Sequence, residues 1–170
     1  AYPYDIGNRF AAFERGKRLD DVLREAFDWT LEDMMDLQLD NANYLADVAM
    51  PSVFGTLENR RGQLSELENK ALDAWLDWTF QNDAQEVGPS LWSRFWPAFR
   101  EAVWNDEYEA VDAPMLRPTR DLTAELLVDD PESSFFDNIT TPVREVASDQ
   151  ILVAFQNAVA SLANSAEEAD

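Results

Sequence analysis

The chain lacks two residue types on which many active sites depend. None of its 170 residues is a cysteine or a histidine. Without cysteine there is no disulfide and no thiolate nucleophile. Cysteine usage therefore does not indicate whether the compartment is oxidising or reducing. Without histidine, these residues cannot form a Ser-His-Asp triad, a Cys-His dyad or an ordinary histidine-containing zinc site. Catalysis by any of these arrangements is therefore excluded within the chain.

Long apolar runs are missing as well. No stretch approaches the ~20 residues that a helix needs to cross a bilayer, so we predict no membrane span. Ala1 opens the chain with neither a methionine nor a signal-peptide pattern behind it. Two locations are therefore compatible with the sequence, a salt-rich cytoplasm and an exported, high-salt location.

Positive charge is scarce. The chain has 34 acidic and 13 basic residues, a net charge of −21, and only Lys17 and Lys70 are lysines. Such like charge repels itself until salt screens it, and the Debye length is about 3 Å in molar salt. The acids are spread over the whole length, which favours a halophilic protein. The alternative is an acidic surface that binds a basic partner or mimics nucleic acid. Binding to nucleic-acid phosphates is not expected, because they would be repelled.

Apolar and aromatic residues are plentiful. They make up 46% and 12% of the chain, which is enough for a hydrophobic core and too much for a disordered acidic chain. Nearly every apolar pattern has helical spacing, and no alternating stretch is long enough to predict a sheet. We therefore predict an all-α fold, with residues 1–170 as a single helical domain or as a segment of a larger protein.

Individual helices follow from apolar spacing and from capping signals. Thr30 with Asp33, and Ser65 with Glu68, have the spacing of helix-capping pairs. The second helix should bury Leu31, Met34, Met35, Leu37, Leu45 and Val48. Four tryptophans belong either to the core or to an aromatic ligand pocket: Trp75, Trp78, Trp92 and Trp96. The predicted helices are 8–26, one from Thr30 that Pro51 ends or kinks, a short one through 53–57, one opened at Ser65, one opened by Pro89, 119–128, and one through 151–162. Pro97 should kink the helix opened by Pro89, unless that helix starts at Pro97.

Three blocks along the chain carry a family resemblance. The first is YPYDIG at 2–7 followed by RGKRLDDVL at 15–23, the second is TLEDMMDLQLD at 30–40, and the third joins LLVDDP at 126–131 to FFD at 135–137, Arg144-Glu145 and the last helix. In this order and spacing they resemble the penicillin acylase (penicillin amidase) family of N-terminal-nucleophile hydrolases. The first two blocks are similar to that family's Arg-x-x-Arg-Ile element and to its helix ending in Leu-Gln-x-Asp.

The resemblance implies the helical middle part of the family's β chain. Such a segment packs on the αββα catalytic core, and its partners are the remaining α and β parts of the same acylase. The family hydrolyses small acyl amides through an N-terminal serine whose own α-amino group supplies the base, so no histidine is required. Ala1 has neither hydroxyl nor thiol. We therefore expect the nucleophile to lie outside this chain, and the chain alone to be inactive on linear or cyclic acyl amides.

The resemblance implies one active-site residue in this chain. Arg15 matches the first arginine of the Arg-x-x-Arg-Ile element, which lies near the active site in the family. A guanidinium there is suited to orient oxyanion-hole donors or to attract a carboxylate-bearing substrate. The alternative is an ordinary helix-surface arginine paired with Glu14 or Asp20. Arg18, one turn further on, is expected to serve packing or surface pairing.

The resemblance also implies a possible metal ligand. Asp5 lies roughly where some members of the family use an aspartate to bind calcium. Calcium takes about six to eight oxygen ligands, so a site would need further ligands from outside this chain. The alternative is a structural role for Asp5 as an acid near the start of a helix. No other cofactor is expected.

Two further alternatives concern the acidic residues. Asp33, Asp36 and Asp40 have the spacing of one helix face, which fits a solvated acidic face or, alternatively, general acid–base carboxylates; Gln38 and Asp40 are also suited to hydrogen-bond inward. The rival to an amidohydrolase segment is a stand-alone acidic helical module from a halophile that binds a partner protein. Both would expose an apolar face, so exposure alone does not separate them.

Overall fold

The computed structural model describes residues 12–111 and 117–167. These residues form helices and no strand; their nearest approach to a sheet is an isolated antiparallel bridge between Ala42 and Gln81. The all-α prediction is confirmed. The helices are α1 (Glu14–Arg24), α2 (Leu31–Leu39), α3 (Tyr44–Asn59), α4 (Glu66–Leu76), α5 (Val87–Glu109), α6 (Arg120–Asp129) and α7 (Ala147–Glu167), with short 3-10 turns at Arg61–Gln63 and Ser134–Phe136.

The chain divides into two compact units. The first unit is Ala1–Asp40 and contains α1 and α2, and the second unit is Asn41–Asp170 and contains the other five described helices. That residues 1–170 form a single helical domain or segment stays a prediction.

The second unit is built around α5, which packs most extensively on α7 and also contacts α4, while α3 packs on α6 and α7. Its centre is aromatic. The Trp75 ring meets Phe95 edge-on with ring centroids 5.2 Å apart and stacks on Phe155 at 5.6 Å. Trp78, Trp92 and Trp96 are buried in the same core. The four tryptophans therefore form core and not a ligand pocket.

Both prolines that were expected to end or kink helices lie inside them. Pro51 is within α3 and Pro97 within α5, so the separate short helix through 53–57 was a wrong prediction. Proline in a helix interior costs about 3 kcal/mol. Met50 and Val53 beside Pro51 are 0% exposed, and burying such side chains gives roughly 1.5–3 kcal/mol each. Packing of the neighbours thus outweighs the local cost.

The break between helices falls earlier than predicted. α2 ends at Leu39, and Asn43 starts α3 as its N-cap, where its Oδ1 accepts the Ala46 N–H at 3.1 Å. The predicted inward positions were therefore spread over two helices with different faces. Leu37 and Leu45 are buried, but four were wrongly predicted as buried: Leu31, Met34, Met35 and Val48 are 79%, 37%, 57% and 37% exposed.

Capping was predicted correctly, and α1 is stabilised by little burial. Thr30 with Asp33 and Ser65 with Glu68 both form complete capping boxes. In α1 no residue is buried, and its apolar neighbours Phe13, at the N-cap, and Leu23, near the end of the helix, are 40% and 39% exposed. The described part of the first unit offers them too little apolar surface to pack against.

A close approach fixes the start of α5. A Cβ atom on Gly88 would lie 2.1 Å from Cγ of Trp78, so only glycine fits beside this ring. The Trp78 indole N–H donates to the Gln81 carbonyl at 2.6 Å. The helix begins at Val87, which puts Pro89 in its first turn, where proline is tolerated.

Candidate functional site

The candidate active-site residue lies on α1. Arg15 is the second residue of this helix, and its side chain is exposed. The described residues give it neither a hydrogen bond nor an ion pair. Asp20, one of its two expected partners, instead pairs with Arg24, whose Nε lies 2.8 Å from Oδ2. The Arg15 guanidinium is thus not engaged by the described part of its own unit.

The second arginine of the same element is fixed in place. Arg18 donates from Nε and Nη2 to Oδ2 of Asp40, at 3.1 and 2.6 Å. Asp40 is the residue that follows α2, so this ion pair joins the two sequence blocks of the first unit. Arg18 therefore has the pairing role that the sequence predicts, and Asp40 a structural one.

The three spaced aspartates do not act together. The Asp33 carboxylate accepts hydrogen bonds from the Thr30 hydroxyl and backbone N–H, and these hold the pKa of Asp33 below its usual value. Asp36 is exposed, and Asp40 is paired with Arg18. Gln38 is exposed as well, so the inward hydrogen bond expected of it is absent among the described residues. The geometry therefore does not support general acid–base catalysis by these three carboxylates.

In the described ranges, no group of three or more His, Cys, Asp or Glu side chains is placed to hold a metal ion. Asp5, the calcium candidate, lies outside the described residues. Calcium binding in the parent enzyme stays a prediction. A helix long and apolar enough to cross a membrane is also absent from the described ranges.

A polar junction in the second unit was not predicted. Arg60 at the end of α3 donates from Nη2 to Oγ of Ser148 at 2.6 Å and pairs through Nη1 with Asp149 at 2.8 Å. Beside it lies an open cleft of about 240 Å³ with an apolar wall that includes Leu127 and Ile151. Guanidinium stays protonated in proteins, so Arg60 cannot activate the Ser148 hydroxyl as a base. The junction joins α3 to α7. Because Arg60 and Ser148 lie far apart in the sequence, no local pattern predicts their contact.

A second unpredicted feature is a carboxyl pair at the end of α5. Asp106 is 7% exposed, and its Oδ2 accepts the Ile139 N–H at 2.8 Å. Oδ1 of Asp106 and Oε2 of Glu107 are buried and have no hydrogen-bond donor among the described residues. Burial, followed by the neighbouring Asp106 carboxyl group, raises the pKa of Glu107 to about 7. In sequence this stretch is typical of a solvated acidic helix end, so the local pattern does not indicate that these carboxyl groups are buried.

Among the described residues, Arg15 thus lies at the expected position without a hydrogen bond or an ion pair, and no nucleophile–base arrangement surrounds it. The family model described as penicillin amidase matches residues 1–170. No curated protein and no solved structure matches the chain. The match covers all three sequence blocks that carried the resemblance, and the all-helical fold agrees with it. Because the family model spans its full length, the chain belongs to the penicillin amidase family.

Proposed function

We propose that this chain is the helical middle part of the β chain of a penicillin amidase-type amidohydrolase. It supports the catalytic core and shapes the acyl-binding cleft. The parent enzyme hydrolyses a linear or cyclic acyl amide through an acyl-enzyme on a serine outside these residues. The observation that carries this proposal is the family match over 1–170.

An uncovered apolar stripe on α2 supports a scaffold role. Leu31, Met35 and Leu39 follow one another at single-turn spacing and are 79%, 57% and 81% exposed. Contiguous apolar surface of this kind marks a site of contact with another polypeptide. In the proposed enzyme, the remaining α and β parts cover this stripe.

The state of Arg15 supports a contribution to the acyl site. Its guanidinium is exposed and has no partner among the described residues, whereas Arg18 on the same helix is fixed by Asp40. An arginine presents several donors in a rigid plane suited to a carboxylate or to an oxyanion-hole carbonyl. We propose that Arg15 meets such a group from the rest of the enzyme or from the substrate.

The apolar stripe also favours a second candidate, a stand-alone acidic helical module that binds a partner protein. Hydrolysis of a chromogenic phenylacetyl amide by the intact protein, compared with residues 1–170 alone, separates the two. We expect turnover by the intact protein and none by the isolated chain, because the proposed nucleophile is missing from it. Turnover in proportion to the concentration of the isolated chain would contradict the scaffold role. An intact protein that hydrolyses neither linear nor cyclic acyl amides would favour the module.

The charge supports a proposal about the environment. With a net charge of −21 and 13 basic residues, the folded chain repels itself at low ionic strength. We propose that the enzyme works in high salt, where screening removes most of this repulsion. We expect the melting temperature, followed by circular dichroism, to rise steeply from low to molar KCl. Full helicity with an unchanged melting temperature at low salt would contradict a halophilic origin.

A further inference from the structure

Three of the 13 basic residues of the chain come together where α5 meets the start of α6. Arg100 on α5 donates from Nη2 to the Pro118 carbonyl oxygen at 2.6 Å. Arg117 directly precedes this proline, and Arg120 is the first residue of α6. The segment that Arg100 bonds to is therefore flanked by the other two arginines. We call Arg100, Arg117 and Arg120 the arginine cluster.

The described contacts of two members of the cluster are with neutral groups. Arg100 donates to a backbone carbonyl, and Arg117 donates from Nη2 to Oδ1 of Asn105 at 2.8 Å. The guanidinium carbon of Arg117 also lies 5.5 Å from the centroid of the Tyr108 ring. Neither Arg100 nor Arg117 forms an ion pair with a described carboxylate. In a chain with 34 acidic residues, two neighbouring arginines in this state are a local exception.

One donor of Arg100 is buried without an acceptor. Its Nε is inaccessible to solvent, and the described residues supply no hydrogen-bond acceptor to it. A guanidinium group has five N–H donors and stays charged, and a buried donor that is left unbonded is costly. Arg100 is half-buried, whereas Arg117 and Arg120 are exposed, so the cluster can be reached from solvent. The arrangement is thus open and lacks acceptors.

The charges around Arg100 leave an excess of positive charge. Burial lowers the pKa of Arg100, and the neighbouring charges of Arg120 and Arg117 lower this pKa further. Asp121 and Tyr108 act in the opposite direction, and each has a smaller effect than either arginine. The described surroundings therefore disfavour the positive charge of Arg100. A bound anion would stabilise this charge.

We propose that the arginine cluster is a binding site for an oxyanion, namely a carboxylate or a phosphate group. The planar guanidinium group presents paired N–H donors that match the two oxygens of such a group, and these charge-assisted hydrogen bonds are strong. The ligand is either a free oxyanion from solution or a carboxylate side chain from another part of the intact protein. This inference does not depend on the proposed amidase function.

Titration of inorganic phosphate into the 170-residue chain, at an ionic strength held constant with KCl, tests the site by isothermal titration calorimetry. We expect saturable binding, accompanied by a shift of the Arg100 Nε–H signal in ¹⁵N-resolved NMR spectra. Arg100→Gln should weaken phosphate binding by about tenfold or more, because it removes a charged donor from the ligand. Arg94→Gln is the matched control, since Arg94 is an exposed arginine on the same helix without a described ion pair. This variant should bind phosphate as the unchanged chain does.

A second variant covers the case in which Arg100→Gln does not fold. Arg117 is exposed, so Arg117→Gln should leave the fold intact and still weaken phosphate binding by about threefold or more. Absence of saturable binding by the unchanged chain would overturn the proposal. Binding that Arg117→Gln and Arg94→Gln leave equally strong would overturn it as well, because the phosphate would then not be held by the cluster.

The same titration of the intact protein distinguishes the two sources of the oxyanion. If the natural ligand is free in solution, the intact protein should bind phosphate with about the affinity of the 170-residue chain, within roughly threefold. If a carboxylate from another part of the protein fills the site, the intact protein should not bind phosphate there. Its Arg100 Nε–H signal should then already be shifted in the direction that phosphate produces in the chain. An intact protein that shows neither phosphate binding nor this shift would contradict the site.

Discussion

The two units of the molecule bury apolar surface to very different extents. In the second unit, Trp75, Phe95, Phe99, Phe136 and Phe155 are all less than 2% exposed. In the described part of the first unit, α1 has no buried residue and α2 has only Leu37. The candidate site residue Arg15 and the Arg18–Asp40 pair nevertheless belong to the first unit. The unit with the site-related motifs is thus the one whose described residues form no core of their own.

This contrast has a physical basis. Each large apolar side chain that is fully buried contributes roughly 1.5–3 kcal/mol, so the aromatic core supplies the second unit with substantial stability. The described contacts of the first unit are partly exposed ion pairs and a capping box, and an exposed ion pair contributes about 1 kcal/mol or less. We infer that the first unit depends on packing against surfaces outside its described residues.

The largest effect should come from removing a core ring. Trp75→Ala should lower the free energy of unfolding by about 3–5 kcal/mol, because the ring contacts Phe54, Phe95 and Phe155 and leaves a large cavity. Phe27→Ala in the first unit should change it by about 0.5 kcal/mol or less, since Phe27 is 99% exposed. Denaturant unfolding of the isolated chain measures both. Equal losses would erase the contrast between the units.

The next effect concerns catalysis. In the intact enzyme, Arg15→Ala should raise the acylation barrier by about 2–4 kcal/mol, seen as a lower kcat/KM, with little change in melting temperature. Arg18→Ala is the matched control. It removes the pair with Asp40 and should cost about 1 kcal/mol of stability or less, with a small kinetic effect. Equally small kinetic effects from both changes would reduce Arg15 to a surface residue.

A smaller effect is expected from pH. The folded state raises the pKa of Glu107 from 4.5 to about 7, so between these values the folded chain binds more protons than the unfolded one. This contribution to stability is complete below the unfolded pKa and is lost as pH rises through the folded pKa, and solvent screening of the partly exposed Glu107 side chain reduces it to about 1 kcal/mol. The free energy of unfolding should fall between about pH 5 and about pH 8, and less so in Glu107→Gln. Identical pH profiles for the two proteins would rule this contribution out.

Features that depend on adjacent residues were predicted well from the sequence, whereas features that depend on tertiary packing were predicted poorly. Both capping boxes and the start of α6 at Thr119 depend on a few adjacent residues, and these predictions are confirmed. The end of a helix at Pro51 was wrong, because the burial of neighbours such as Met50 and Val53 decides the outcome and requires the tertiary structure. A signal for the break after α2 was available in Asn43, a good N-cap residue directly before Tyr44.

The candidate site was predictable only at the level of motifs. The Arg-x-x-Arg element identified Arg15 and Arg18, but only the fold shows that Arg18 is held by Asp40, 22 residues away. The burial of Asp106 at the end of α5 depends on packing, and two adjacent acids in a chain of 34 acids give no indication of burial. Such contacts follow from packing and not from local pattern.

The central claim is that the exposed stripe of α2 is covered in the enzyme. Amide hydrogen exchange of α2 and α5, compared between residues 1–170 alone and the intact protein, tests it most directly. We predict that exchange in α2 slows by about tenfold or more in the intact protein, while exchange in the middle of α5, whose core is complete within the second unit, stays the same. Equal exchange in α2 in both proteins would contradict the account.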